Sequence, residues 1–193
     1  MTKTIEFYYD YGSPTCYLAD TQIGAVAAAA GAEIDFIPVL LGGIFKATGN
    51  QSPVAVPAKG KYMGRDLGRF VKRYGVPFRF NQHFPVNTIG LMRGAVYAKG
   101  TGHLAPYSAA MYRAMWVDNV DLNDPAKVAE TITAAGLDAA RFGAAIQDQA
   151  VKDQLKKNTE EAVQRGAFGA PTFFVGDEMF WGQDRLDQVA EAL

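Results

Sequence analysis

Strand-forming residues fall only near the two ends of this chain. Thr4–Tyr9 (TIEFYY) is a run of β-branched and aromatic residues, and Glu33–Leu40 (EIDFIPVL) alternates around Ile34 and Phe36. No convincing strand follows between about residue 45 and about residue 165. Two short β runs then return, Thr172–Val175 and Met179–Trp181, separated by the hairpin turn signal Gly176-Asp177-Glu178. Any single sheet must therefore be assembled from both ends, with the middle of the chain looped out as helices.

The segments between the β runs support that layout. Thr15–Ala30 reads as a helix with Ser13 as N-cap, Pro14 in the first turn and Gly31 just past the end. Strand, helix and strand in so short a stretch form a βαβ unit with a right-handed crossover. Leu41–Pro57, rich in Gly, Pro, Asn and Ser, reads as a loop with room for one helical turn. Apolar periodicity and alanine content predict helices over Tyr62–Tyr74, Thr88–Ala98, His103–Val117, Pro125–Ala135, Asp138–Ala144 and Gln147–Arg165. Leu186, Val189, Ala190 and Leu193 share one face of a last helix. The order β-α-β, helical block, β-β-α is that of an α/β, thioredoxin-like fold with a large all-helical insertion. Residues 1–45 and 165–193 form the thioredoxin-like domain and residues 46–164 the insertion.

Composition narrows the functions open to such a fold. Half the chain is hydrophobic (49%), enough for a sizeable core in 193 residues. The single cysteine, Cys16, excludes an internal disulfide and any multi-cysteine zinc site. His83 and His103 are too isolated for a metal cluster, so no metal is expected. Nineteen basic against twenty acidic residues leave a net charge of −1, with no global field to hold nucleic acid or an anionic membrane. The N-terminal MTKTIEFYY lacks the apolar run of a signal peptide, and Ala25–Ala30 is too short to span a bilayer. The expected location is a reducing cytoplasm.

Two motifs carry chemistry. The first is Asp10-Tyr11-Gly12-Ser13-Pro14-Thr15-Cys16-Tyr17, where the first strand meets the first helix. Redox proteins of thioredoxin-like fold carry Cys-x-x-Cys at this junction, and the helix start lowers the pKa of the first thiol. Here Ser13 occupies the first position and Cys16 the second. Dithiol chemistry is lost, but a hydroxyl remains among the free N–H groups of a helix start. Such a site can stabilise an anion brought from outside, above all a thiolate. Cys16 itself reads as a packed helix residue. The second motif is Gly169-Ala170-Pro171-Thr172 before a strand, which resembles the cis-proline loop of thioredoxin-like proteins. Ala170 would offer its backbone to an extended cysteinyl ligand.

Beyond these motifs the chain resembles the kappa-class glutathione transferases, within the DsbA-like thioredoxin superfamily, and in particular their bacterial members that isomerise 2-hydroxychromene-2-carboxylate. Asp10–Leu18, Thr48–Met63, Phe84–Thr88, Gly166–Val175 and Phe180–Leu186 carry the resemblance, in the family's order. It implies glutathione as cofactor, Ser13 as the catalytic residue hydrogen-bonding the glutathione sulfur, and Asn50 and Lys59 reaching the tripeptide from the long loop. It also implies cysteinyl binding at Ala170 and Pro171, and γ-glutamyl binding at Gln183 and Asp184. Gln183 departs from the serine common in kappa transferases. The implied activity is a glutathione-dependent isomerisation of a small aromatic carboxylate in naphthalene-type catabolism, by a homodimer. Conjugation of glutathione to electrophiles is the alternative, followed by a DsbA-type disulfide oxidoreductase and a non-catalytic thiol-peptide module. Tyr11, Phe84, Tyr112, Trp116 and Trp181 are candidates for an aromatic pocket, although core packing suits most of them. Arg79 and Arg93 are candidates for the substrate carboxylate, and nothing in the spacing selects either.

Overall fold

In the computed structural model, residues 3–193 are described. Thr4–Tyr9 (β1) is hydrogen-bonded on both edges, and from Phe7 onward its side chains are buried on both faces, while Thr4 is exposed and Glu6 half-buried. The sheet order is β2-β1-β3-β4, with β2 at Glu33–Pro38, β3 at Thr172–Val175 and β4 at Glu178–Trp181. β1 and β2 are parallel, joined by the helix α1 (Pro14–Ala30), while β1–β3 and β3–β4 are antiparallel. Glu178 pairs with Val175, so it belongs to β4 rather than to the turn, which is only Gly176-Asp177. Gly176 has φ 60°, which this tight two-residue turn requires.

The strand period sorts β1 between two layers. Ile5, Phe7 and Tyr9 join a large buried cluster with Leu18 and Ile23 of α1 and Phe173 of β3. Tyr8 points the other way, into a smaller cluster with Ile44, Ala162 and Phe174. The large cluster continues without a break into the helical middle of the chain, through Met111, Met115, Trp116 and Phe142.

That middle comprises α2 (Leu41–Thr48), a 3-10 turn (Pro53–Ala55), α3 (Pro57–Tyr74), α4 (Ile89–Gly100), α5 (Leu104–Trp116), α6 (Pro125–Ala134), α7 (Ala139–Ala145) and α8 (Gln149–Gln164). α2 lies where the sequence predicts a loop. Two glycines weaken its local signal, but Ile44 is fully buried in the smaller cluster, and Gly43 leaves room for Thr159 of α8. Tertiary packing overrides the weak propensity. α3 starts at Pro57 rather than Tyr62, with proline in its first turn. A 3-10 turn (Gln183–Arg185) leads into α9 (Leu186–Ala192). No helix among the described residues is long and apolar enough to cross a membrane.

Candidate active site

α1 starts as its sequence dictates. Ser13 is the N-cap, with extended backbone (φ −98°, ψ 116°), and its Oγ accepts from the Cys16 N–H at 3.2 Å. The Ser13 hydroxyl also donates to the Ala170 carbonyl at 3.1 Å, and the Thr15 hydroxyl lies 2.8 Å from Ser13 Oγ. The Ala170–Pro171 bond is cis, as the sequence predicts. Residues 157 positions apart thus meet because β1 and β3 are neighbours in the sheet.

Around this contact lies an open cavity of about 1050 Å³. The seven residues that the resemblance assigns to glutathione all line it: Ser13, Asn50, Lys59, Ala170, Pro171, Gln183 and Asp184. Asn50 reaches across with its amide nitrogen to the Phe168 carbonyl at 2.8 Å, tying the long loop to the approach to Ala170. Lys59 stands in the first turns of α3 and makes no ion pair among the described residues. Gln183 is buried and Asp184 pairs with Arg185 at 2.7 Å; both belong to the 3-10 turn ahead of α9. Gly182, with φ 101°, makes that turn possible, since a Cβ there would stand 2.5 Å from the Asp184 carboxylate.

The candidate aromatic residues separate into two groups. Tyr11, Tyr112 and Trp116 are buried in the core, whereas Phe84 and Trp181 line the cavity. Sequence reasoning missed Phe80 and Phe168. Phe80 packs on Phe84 (ring centres 5.3 Å apart), and Phe168 packs on Trp181 (5.0 Å). Phe80, Phe168 and Trp181 remain exposed, giving the cavity an aromatic rim with no counterpart in local periodicity. Arg79 and Arg93 do not line it; Arg93 donates to the Ile146 carbonyl instead. Lys59 is the one cation of the lining among the described residues, against Asp10, Asp66 and Asp184.

Cys16 supplies no reactive thiol. It is fully buried, and burial pushes its thiol up to about 12. No group of three or more histidine, cysteine or acidic residues capable of holding a metal occurs among the described residues. The arrangement offers a hydroxyl at a helix start, facing a cis-proline loop, beneath an aromatic rim. It can stabilise an anion delivered by a ligand.

Known proteins share this fold. Residues 4–193 match the family model of the DsbA-like thioredoxin domain. The 2-hydroxychromene-2-carboxylate isomerase of Sphingobium xenophagum is 35% identical over 97% of this chain and 96% of its own length. Human glutathione S-transferase kappa 1 is 28% identical, covering 100% and 92%. A solved structure of a 2-hydroxychromene-2-carboxylate isomerase superposes with a TM-score of 0.85 at 30% identity, over 98% of this chain and 93% of that one. The full-length match and the shared fold lead to one assignment: the chain belongs to the DsbA-like thioredoxin family, alongside the 2-hydroxychromene-2-carboxylate isomerases and the kappa-class glutathione transferases.

Proposed function

We propose that this protein is a glutathione-dependent isomerase that converts 2-hydroxychromene-2-carboxylate, or a close aromatic analogue, to trans-o-hydroxybenzylidenepyruvate. The observation that carries the reading is the Ser13 hydroxyl at the head of α1, 3.1 Å from the carbonyl that precedes cis-Pro171. Glutathione would lie with its cysteinyl backbone along Ala170 and its sulfur at Ser13. Asp184 suits the γ-glutamyl ammonium, and Lys59 suits a carboxylate. Asn50 and Gln183 present amides toward the remaining polar atoms of the tripeptide.

In this mechanism the thiolate adds to the conjugated carbon of the chromene, forming a C–S bond. The displaced π electrons form an enol as the hemiketal C–O bond breaks and its oxygen leaves as a phenolate, which takes the enol proton, and the former double bond rotates as a single bond. Loss of the thiolate restores the double bond in the trans geometry. Glutathione is regenerated and acts as a cofactor. Ser13 never attacks carbon; its hydroxyl turns from the Ala170 carbonyl to the sulfur and, with the N–H groups of the helix start, stabilises the thiolate on arrival and departure. The aromatic rim from the helical block (Phe80, Phe84) and from the flanks of cis-Pro171 (Phe168, Trp181) suits a bicyclic aromatic acid. The cavity volume leaves room for it beside the tripeptide.

A mass-balance assay tests this reading. Substrate is supplied in large excess over glutathione, and product and free thiol are both counted. Turnover beyond the glutathione supplied, with thiol conserved, supports the isomerase. Thiol loss matched to product supports the second reading, transfer of glutathione to electrophiles, which the kappa-class relatives favour. We further propose a homodimer in the cytoplasm, with sedimentation velocity as the check on assembly.

A further inference from the structure

One buried acid at the site has no part in that mechanism. Asp10 directly follows β1, three residues before Ser13, and is 1% exposed. One carboxylate oxygen accepts from the Gly12 N–H at 2.9 Å. The other accepts from the Leu41 N–H, at the first residue of α2, at 2.8 Å, and from the Thr88 hydroxyl, just ahead of α4, at 3.1 Å. No cation pairs with it among the described residues. Its backbone carbonyl accepts from the Ser13 N–H at 3.0 Å. The loop and Thr88 approach so closely that a Cβ on Gly12 would stand 2.9 Å from the Thr88 methyl. Leu41 and Thr88 both line the cavity.

We propose that Asp10 is a positioning residue: its carboxylate locks the turn that carries Ser13 to the two helices walling the cavity, and so fixes the Ser13 hydroxyl relative to a ligand bound against them. The proposal deepens the thiolate-binding reading given above and, in its binding arm, rests on it. A carboxylate with four well-placed lone-pair sites can accept three hydrogen bonds at once; a neutral amide cannot. Burial, the dominant influence, raises its carboxyl above the ordinary carboxylate range. On acidification the lock therefore loses an acceptor before an exposed acid would. The neighbouring titratable groups are Cys16 behind it, whose thiol stays protonated, Asp20 one turn further along α1, and Lys59, Asp66 and Asp184 across the cavity. Asp10→Asn leaves these in place, so the difference between the two proteins' pH profiles isolates Asp10.

The test compares the wild-type protein with Asp10→Asn, Thr88→Val and Thr88→Ser by two measurements. Glutathione titration calorimetry across pH is the first. At neutral pH, Asp10→Asn should bind about tenfold more weakly, the scale of one orphaned buried donor, and Thr88→Val about threefold more weakly. Thr88→Ser, which keeps the hydroxyl, should match the wild type. The acid-side loss of affinity assigned to Asp10 should be absent from Asp10→Asn. The second measurement is amide exchange without glutathione. The Cys16 N–H, whose acceptor is Ser13 Oγ, should exchange faster in Asp10→Asn and Thr88→Val, while the Phe7 amide in the middle of β1 keeps its wild-type rate. Equal exchange at Cys16 in all four proteins would overturn the proposal, as would equal acceleration at Cys16 and Phe7, the mark of a purely structural role. If Asp10→Asn does not fold, Thr88→Val against Thr88→Ser decides. If the wild-type protein binds no glutathione, the proposed function falls, and the exchange measurement still judges Asp10.

Discussion

The floor and the rim of the cavity are built in opposite ways. The floor runs from Asp10 to Ser13 and across to Ala170, and it is buried and densely hydrogen-bonded. Even Tyr11 is fixed there, with its carbonyl taking the Trp116 indole N–H at 2.8 Å and its hydroxyl 2.7 Å from Ser108. The rim consists of large exposed side chains, Phe80, Phe168 and Trp181, held by ring contacts rather than by polar bonds. The contrast assigns different tasks to the two regions. Preorganised donors act on developing charge without reorganising during the reaction, so the floor suits the thiolate step. An aromatic surface without fixed polar contacts suits recognition of a flat apolar ring, and it tolerates variation in that ring.

Substitutions in the two regions should therefore fail differently. The largest effect is expected for Ser13→Ala. Turnover should fall by about a hundredfold or more, as for loss of one oxyanion donor, while the lost N-cap costs only about 1 kcal/mol of stability. Steady-state kinetics beside chemical denaturation would check both. Asp184→Asn comes next, with KM for glutathione raised about tenfold and kcat nearly unchanged, because it removes a charge pair rather than a contact to the reacting atoms. At the rim, Trp181→Ala and Phe80→Ala should each raise KM for the aromatic substrate by about threefold to tenfold, leave glutathione affinity unaltered, and lower Tm only modestly because both side chains are about half exposed. A rim variant that lost kcat as Ser13→Ala does would erase the distinction between the two regions.

The smallest effect on turnover is expected away from the cavity. Asp20, on α1, is raised from 3.8 to about 6 by burial, with no partner to offset it. Its folded value lies above its unfolded one, so the stability associated with its protonated form is present below about pH 4 and lost as pH rises through about 6. Asp20→Asn should gain on the wild type across that window by at most about 3 kcal/mol, and show no gain near pH 4. Thermal melts at several pH values would show it, with turnover unchanged.

Much of the floor was legible in the sequence because its signals are local. Ser13, Pro14 and Gly31 punctuate α1 where the chain must turn, and the small residue, proline and β run at 170–175 mark the second loop. The fold followed from where β runs occur and where they do not. The Leu41–Thr48 helix was not legible, because Leu41-Gly-Gly reads as a loop until the buried Ile44 and the Asp10 carboxylate at its first N–H are in place. The rim was hidden for a related reason: Phe80, Phe168 and Trp181 are far apart in the chain and share no period. Tyr112 and Trp116 show the converse, since aromatic character alone does not separate a core residue from a cavity wall. The lock formed by Asp10, Leu41 and Thr88 depends on side chains meeting backbone across long separations, which no window of sequence displays.

The central claim is that this protein stabilises a thiolate it does not itself contain. Ultraviolet titration of the glutathione thiol, bound to the wild-type protein and to Ser13→Ala, tests it most directly. The bound thiol should ionise at least about one pH unit lower in the wild-type complex than in the Ser13→Ala complex, about 1.4 kcal/mol of preferential thiolate binding. Ionisation at the same pH in both complexes, or at the pH of free glutathione in the wild-type complex, would contradict it.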